Sequence, residues 1–366
     1  MNLRVPGPTP LPDPVLDALS GQMINHRGPE FAELIGVVTD GLKTAFETSN
    51  DLLVLTCSGT GALEAAVTNV LSPGERTLVI TIGVFGDRVV EIATAYGADV
   101  VRLGFPYGSA ADPDKVHEAL RAEPSVNTVF VTHNETSTGV TNDLEALAGI
   151  IKGEFNKMLV VDGISSIGSI PCPVDAWGID VAMSGSQKGW MAPPGLAMVS
   201  VNQRAWEAVE KATIPRFYFD LARARDAAAK DQTPWTPGIT ALYGLRAGLD
   251  LMLAEGLGNV HQRHARIGAR TRELVREMGL ELFADPSFAS DTVTAIKVPQ
   301  GVEWKALSGH IREQHDVVLA GGQGSLSGKI FRIGHLGWVT DDEIDQVAES
   351  IKSALAAVRG SSVAAG

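Results

Sequence analysis

The chain has 366 residues, 45% hydrophobic and 20% charged, with 30 basic against 43 acidic side chains for a net charge of −13. That composition suits a globular protein with a sizeable core, room for one large and one smaller domain, and too much acidity for broad binding to nucleic acid or anionic membranes. Cys57 and Cys172 are the only cysteines and form no CxxC pair, so neither a zinc site nor a disulfide framework is expected.

In chain order, the start (Val5-Pro6-Gly7-Pro8-Thr9-Pro10) is too rich in proline for helix or central strand. It predicts an extended arm, stiff enough to lie across another part of the molecule. It lacks the apolar core of a signal peptide, and no later apolar run reaches the ~18 residues of a membrane span, so a cytoplasmic protein is expected. A short helix over 15–23 and a polar turn, Asn25-His26-Arg27-Gly28, lead into a helical pattern that runs to Phe46. From Leu52 onward, short apolar runs alternate with helical stretches. The runs 52–56, 77–81, 99–103, 128–132, 157–161, 179–183 and 196–201 read as strands. Helices are expected between them over 62–70, 87–96, 113–121 and 144–151. Fully apolar strands alternating with helices predict an α/β fold with a mostly parallel seven-stranded sheet covered on both faces. An irregular stretch, 208–237, precedes helices over 242–255 and 257–278, and the remainder reads as a small α+β domain. The expected division is an arm at 1–20, a large domain at 21–255, a small domain at 256–359 and a tail at 360–366.

Ligands of such sheets bind at the carboxyl ends of the strands, where several suggestive residues fall. Lys188 sits among small residues in Ser184-Gly185-Ser186-Gln187-Lys188-Gly189, and Asp162 ends the apolar run Met158-Leu159-Val160-Val161. A buried lysine beside a strand-end aspartate is what pyridoxal phosphate chemistry needs: an amine for a Schiff base and an anion for the ring nitrogen. Ser58-Gly59-Thr60 opens a helix and offers free N–H groups and hydroxyls to a phosphate, although an ordinary capped turn fits as well. Neither this segment nor Gly324-Ser325-Leu326-Ser327-Gly328-Lys329 has dinucleotide or P-loop spacing. Phe85 could stack on a planar ring or simply fill core, and Thr136 lies in another strand-end loop. Arg332 is embedded in the apolar run Phe331-Arg332-Ile333-Gly334 and needs a partner, either an internal acid or a substrate carboxylate. The histidines show no metal-ligand spacing, and no metal is expected.

Taken together, Pro6-Gly7-Pro8-Thr9, Ser58-Gly59-Thr60-Gly61, Thr132-His133-Asn134-Glu135-Thr136-Ser137-Thr138-Gly139, Val161-Asp162, Ser186-Gln187-Lys188, Thr236-Pro237 and Phe331-Arg332-Ile333 resemble the class V (fold type I) aminotransferases. The likeness is strongest to the alanine–glyoxylate and serine–glyoxylate group. It implies pyridoxal 5'-phosphate bound through Lys188, which also moves the α-proton. Asp162 would face the ring nitrogen, with Phe85 and Ile164 on the two ring faces. Ser58, Gly59, Thr60 and Gln187 would hold the phosphate, joined by Thr236 from the other subunit of a homodimer. Thr136 would lie near the cofactor's phenolic oxygen and the substrate. Arg332 would grip the α-carboxylate, and Gly7, in the arm, would line the entrance with the His26-Arg27 turn. The implied activity moves an amino group from alanine or serine to glyoxylate or pyruvate by ping-pong turnover. The alternatives are a class V lyase or cysteine desulfurase, or another donor such as aspartate or ureidoglycine. Desulfurases place a histidine before the lysine, whereas Gln187 stands here.

Overall fold

The computed structural model describes residues 1–363, with side chains as far as Arg359. Its main element is a seven-stranded sheet in the order Asp51–Leu55, Ala197–Val201, Val181–Gly185, Met158–Asp162, Thr128–Thr132, Arg76–Thr81, Asp99–Gly104. All neighbours are parallel except Ala197–Val201, which runs antiparallel to both of its partners. The expected α/β fold and mostly parallel sheet are therefore present.

Strand periodicity explains why both faces must be covered. Val129, Val131, Leu159 and Val161 enter one core with Phe31, Leu42 and Leu245, while Phe130 and Val160 point to the opposite core with Leu63 and Val89. Every residue of the four strands Thr128–Thr132, Met158–Asp162, Val181–Gly185 and Ala197–Val201 is buried. At roughly 1.5–3 kcal/mol for each large aliphatic or aromatic side chain, such burial fixes the register of these strands, because a one-residue slip exchanges the two cores.

A second sheet has the order Asn2–Arg4, Val317–Gly321, Ile330–Gly334, Val293–Lys297. Its first strand comes from the amino terminus and pairs parallel with Val317, Val318 and Leu319, a contact that no local pattern predicts. The arm then crosses the lysine loop: Thr9 donates from its N–H to the Gln187 carbonyl at 3.1 Å and from its hydroxyl to the Lys188 carbonyl at 3.1 Å.

Several local boundaries differ from expectation: the helices expected from 62 and 242 begin at Gly59 and Ile239, and the strand expected at 179–183 lies at Val181–Gly185. The first short helix covers only Asp13–Ala18, and the helix expected from residue 87 begins at Val84. The last helix, Asp341–Val363, continues into the expected tail, of which residues 364–366 lie outside the described residues.

Candidate active site

Five strand ends of the large sheet converge on one pocket. It encloses about 480 Å³ of free space, mouth included, and is lined by Ser58, Gly59, Thr60, Phe85, Arg88, Asn134, Thr136, Asp162, Ile164, Ser165, Gln187 and Lys188. Parallel strands bring this about, because their carboxyl ends share one edge of the sheet and each following loop opens there.

Lys188 lies just past the end of Val181–Gly185 and is 9% exposed. Burial holds its amine down at about 8; the charge of Asp162 opposes that shift, and Arg332 and Arg88 add to it. The amine donates to the Pro6 carbonyl of the arm. Gly7 is pressed against the same side chain: a Cβ there would lie 2.7 Å from both Cδ and Nζ of Lys188, and its φ of +119° is one that side chains resist. Asp162 ends the adjacent strand, with Ile164 donating from its N–H to the carboxylate at 3.0 Å. Burial pushes the Asp162 carboxyl up to about 6, in spite of the opposing Ile164 N–H and the Lys188 charge. A buried acid so placed is stabilised as an anion by any cation brought to its free oxygen.

At the far side, Ser58 is the N-cap residue of helix Gly59–Val70 yet makes no side-chain cap, so its hydroxyl is not committed to the helix. Gly59 packs closely on Ile164: a Cβ would stand 2.6 Å from its Cδ1, so a larger residue would push the Ile164 side chain aside. Gln187 lines the pocket with its buried Oε1 lacking any partner. Buried polar atoms are normally paired, so a pocket-lining amide left with an orphan atom marks a place where a ligand would complete its hydrogen bonding. Arg88 donates to the Thr60 hydroxyl at 3.1 Å and lies over the Phe85 ring at 4.7 Å.

Arg332 does not line the pocket wall but is anchored beside it. Its Nε and Nη2 donate to the Gly321 carbonyl at 3.0 and 2.7 Å, and its Nη1 donates to the Thr136 carbonyl at 2.9 Å. No carboxylate among the described residues reaches salt-bridge distance. Of five guanidinium N–H groups, three serve these carbonyls, which leaves one on each terminal nitrogen.

Two residues considered from sequence lie elsewhere. Thr236 is exposed, and its neighbours Thr233, Pro234 and Trp235 line a separate groove with Thr56 and Tyr218. Arg27 is tied to Gln232 Oε1 at 3.0 Å and the Thr233 carbonyl at 2.6 Å. Sequence reasoning missed Arg88, Asn134 and Ser165. Arg88 had a usable signal, since it sits three residues after Phe85 and so shares its helix face once the helix starts at Val84. Among the described residues no group of three or more His, Cys, Asp or Glu side chains gathers as a metal site.

Residues 1–346 match the family model described as aminotransferase class-V. The chain belongs to the class-V aminotransferases. As a member of that family it is a transaminase. It is 45% identical to a protein named soluble hydrogenase, small subunit, of Synechococcus sp. (strain PCC 6716), covering 97% of this chain and 92% of that one. It is 39% identical to L-aspartate–glyoxylate aminotransferase of Paracoccus denitrificans (strain Pd 1222), covering 92% and 86%. Its fold superposes with a TM-score of 0.92 on alanine–glyoxylate aminotransferase of Nostoc sp., at 31% identity over 96% of this chain and 94% of that one.

Proposed function

We propose that this aminotransferase uses pyridoxal 5'-phosphate in the pocket at Lys188 to move an amino group from a small amino acid, alanine or serine, to glyoxylate or pyruvate. The observation that carries this reading is the convergence of Lys188 and Asp162 from adjacent strand ends on one pocket whose far side holds an unpartnered amide oxygen and an uncommitted serine. Those groups fit the cofactor. Ser58, Gly59 and Thr60 would hold its phosphate at the start of a helix, where N–H groups and the helix dipole favour an anion, and Gln187 would join them through its amide N–H groups, its oxygen being an acceptor like those of the phosphate. Asp162 would face the ring nitrogen, and Phe85 and Ile164 would flank the ring. Bound there, the cofactor supplies an electron sink for the charge left when an α-proton departs.

The remaining work falls to this chain's own side chains. Lys188, with its amine held down at about 8, is neutral often enough near neutral pH to take the α-proton and return it. Arg332 would receive the α-carboxylate on its two free N–H groups, and the same grip serves the oxo acid, so donor and acceptor bind in turn at one place. Ping-pong turnover follows from that sharing. Thr136 and Gly7 would border the substrate, Gly7 keeping space beside the lysine.

Arg88 keeps spare N–H groups, but its bond to Thr60 and its place over Phe85 put it at the cofactor end of the pocket, and Arg27 is tied to the loop at 232–234, so Arg332 is the guanidinium left for the substrate carboxylate. A single clamp favours donors with one carboxylate; aspartate, named in the Paracoccus relative, is the competing donor. Cys57 is unsuited to act as a desulfurase nucleophile, since burial pushes its thiol up to about 12. Thr236 takes part through a homodimer, reaching the phosphate from the partner subunit. In the same reading residues 21–255 form the cofactor domain and 256–359 the small domain of a cytoplasmic enzyme.

The test is spectroscopic. Purified protein given the cofactor should show a visible band that Lys188→Ala abolishes, and alanine or serine should discharge it, with glyoxylate or pyruvate restoring it. A band untouched by Lys188→Ala refutes the site. A band discharged by aspartate alone refutes the small-donor assignment.

A further inference from the structure

Glu135 is completely buried, yet it is neither a lining residue of the pocket nor half of an ion pair. Its carboxylate accepts four hydrogen bonds. Oε2 takes the N–H groups of Phe85 and Gly86 at 3.0 and 3.2 Å, and Oε1 takes the N–H and hydroxyl of Ser137 at 3.1 and 2.6 Å. The Ser137 hydroxyl in turn accepts from the N–H of Val84 at 3.0 Å. The first three N–H groups of helix Val84–Ala95 are thus satisfied from a distant loop. Such groups have no partner inside a helix, and the N-cap residue here, Gly83, has no side chain with which to supply one. Gly83 is fitted to the arrangement, because a Cβ would stand 2.4 Å from Cγ of Glu135 and 2.5 Å from the Ser137 hydroxyl.

We propose that Glu135 is a positioning residue for transamination, holding the helix that carries Phe85 in fixed register with the loop that anchors Arg332. On one side it fixes the helix start, and hence the Phe85 ring and, one turn on, Arg88. On the other, its covalent neighbour Thr136 offers the carbonyl that takes Nη1 of Arg332. Glu135 also supports the Arg332 charge at a distance, without touching it. One anion therefore joins the face of the cofactor to the carboxylate clamp. Its burial raises the carboxyl to about 7, the charge of Asp162 adding to that, while the hydroxyl and N–H of Ser137 and the N–H of Gly86 oppose the shift. Neutral residues of the same shape could not satisfy those four donors, because an amide presents N–H groups to N–H groups.

This inference rests on the reading of Lys188, Phe85 and Arg332 as the active site, and the experiment separates the two. Wild type, Glu135→Gln, Ser137→Ala and Arg332→Lys are compared as holoenzymes by cofactor dissociation constant from fluorescence, by KM and kcat in each half-reaction, and by Tm. Glu135→Gln should weaken cofactor binding and raise KM for amino acid and oxo acid together, each about tenfold or more, the scale of a hydrogen bond to a charged group. Arg332→Lys should raise KM while leaving cofactor binding within about twofold. Ser137→Ala, which keeps the carboxylate and removes one hydroxyl, should move both quantities in the same direction by less, and it decides the matter if Glu135→Gln does not fold. If Glu135→Gln, or Ser137→Ala in its place, lowers Tm but leaves cofactor binding and KM unchanged, Glu135 is only a structural cap and the proposal is overturned. If Arg332→Lys also leaves KM unchanged, the reading of the site itself has failed.

Discussion

Replacing Arg332 by lysine keeps a positive charge on the strand and removes the planar fork, so it tests geometry rather than charge. Lysine presents a point charge with three rotatable donors and cannot match a carboxylate bidentately. In the native arrangement three of the five guanidinium N–H groups hold the Gly321 and Thr136 carbonyls, leaving two for the substrate. Losing one of two charge-assisted hydrogen bonds costs about 2–3 kcal/mol, or roughly 30- to 150-fold in kcat/KM. Because one clamp serves both partners, the loss should be equal in the two half-reactions, measured separately as discharge of the cofactor band by the amino acid and its recovery with the oxo acid. The Thr136 carbonyl, which is buried, and the half-buried Gly321 carbonyl also lose donors, so Tm should fall, and the assays belong well below the mutant's transition. A change under threefold in both half-reactions, or a loss confined to one of them, refutes a shared carboxylate clamp.

Two further outcomes follow from packing and burial. Gly7→Ala places a Cβ 2.7 Å from the Lys188 amine in a backbone conformation with φ +119°, so Lys188 must move. Displacement of a reacting group by an ångström can cost about 100-fold, and a kcat within threefold of wild type would show that the arm does not confine the lysine. Burial holds the imidazoles of His133, His264 and His335 down at about 3. The unfolded chain, with histidine near 6.5, binds more protons than the folded one between those values. The stability held by these neutral rings is therefore lost as pH falls below about 6.5. Glu135 and Asp162, raised to about 7 and 6, act oppositely: the folded state holds their protons more tightly, and that contribution is lost as pH rises through those values. His264 accepts from the Gly337 N–H at 3.0 Å and its other nitrogen meets the Val260 carbonyl at 2.7 Å, so a second proton would set donor against donor. His264→Gln should flatten the fall of urea-unfolding free energy with acid by about 1.4 kcal/mol per pH unit. An unchanged slope would mean that the ring does not titrate on unfolding.

The large sheet was legible because its strands are buried on both faces. Such strands read as uninterrupted apolar runs, and Leu159, Val160 and Val161 show no polar alternation because neither face meets water. The pocket-lining residues Ser58, Phe85, Thr136, Asp162 and Lys188 were legible for a related reason. Parallel strands deliver whatever follows their carboxyl ends to one edge, so finding the strands located the loops. What escaped notice depends on partners far along the chain. The strand Asn2–Arg4 has only three residues, and its pairing with Val317–Leu319 carries no local periodicity. Arg332 could be recognised as a buried charge, but its partners proved to be backbone carbonyls, which carry no residue identity.

The helix start at Val84 shows where local reading must fail. Gly83-Val84-Phe85-Gly86 has two glycines in four residues and no capping side chain, so by propensity it is a turn. It is helical because Glu135 and Ser137 satisfy its first N–H groups from another strand end. The misplaced boundary and the missed Arg88 are thus one error with one cause. Starting the helix three residues late breaks the relation between Phe85 and Arg88, and only the tertiary cap restores it. A local rule that fails at the edge of a pocket, and is repaired there by a buried anion, identifies the repair as part of what positions the site.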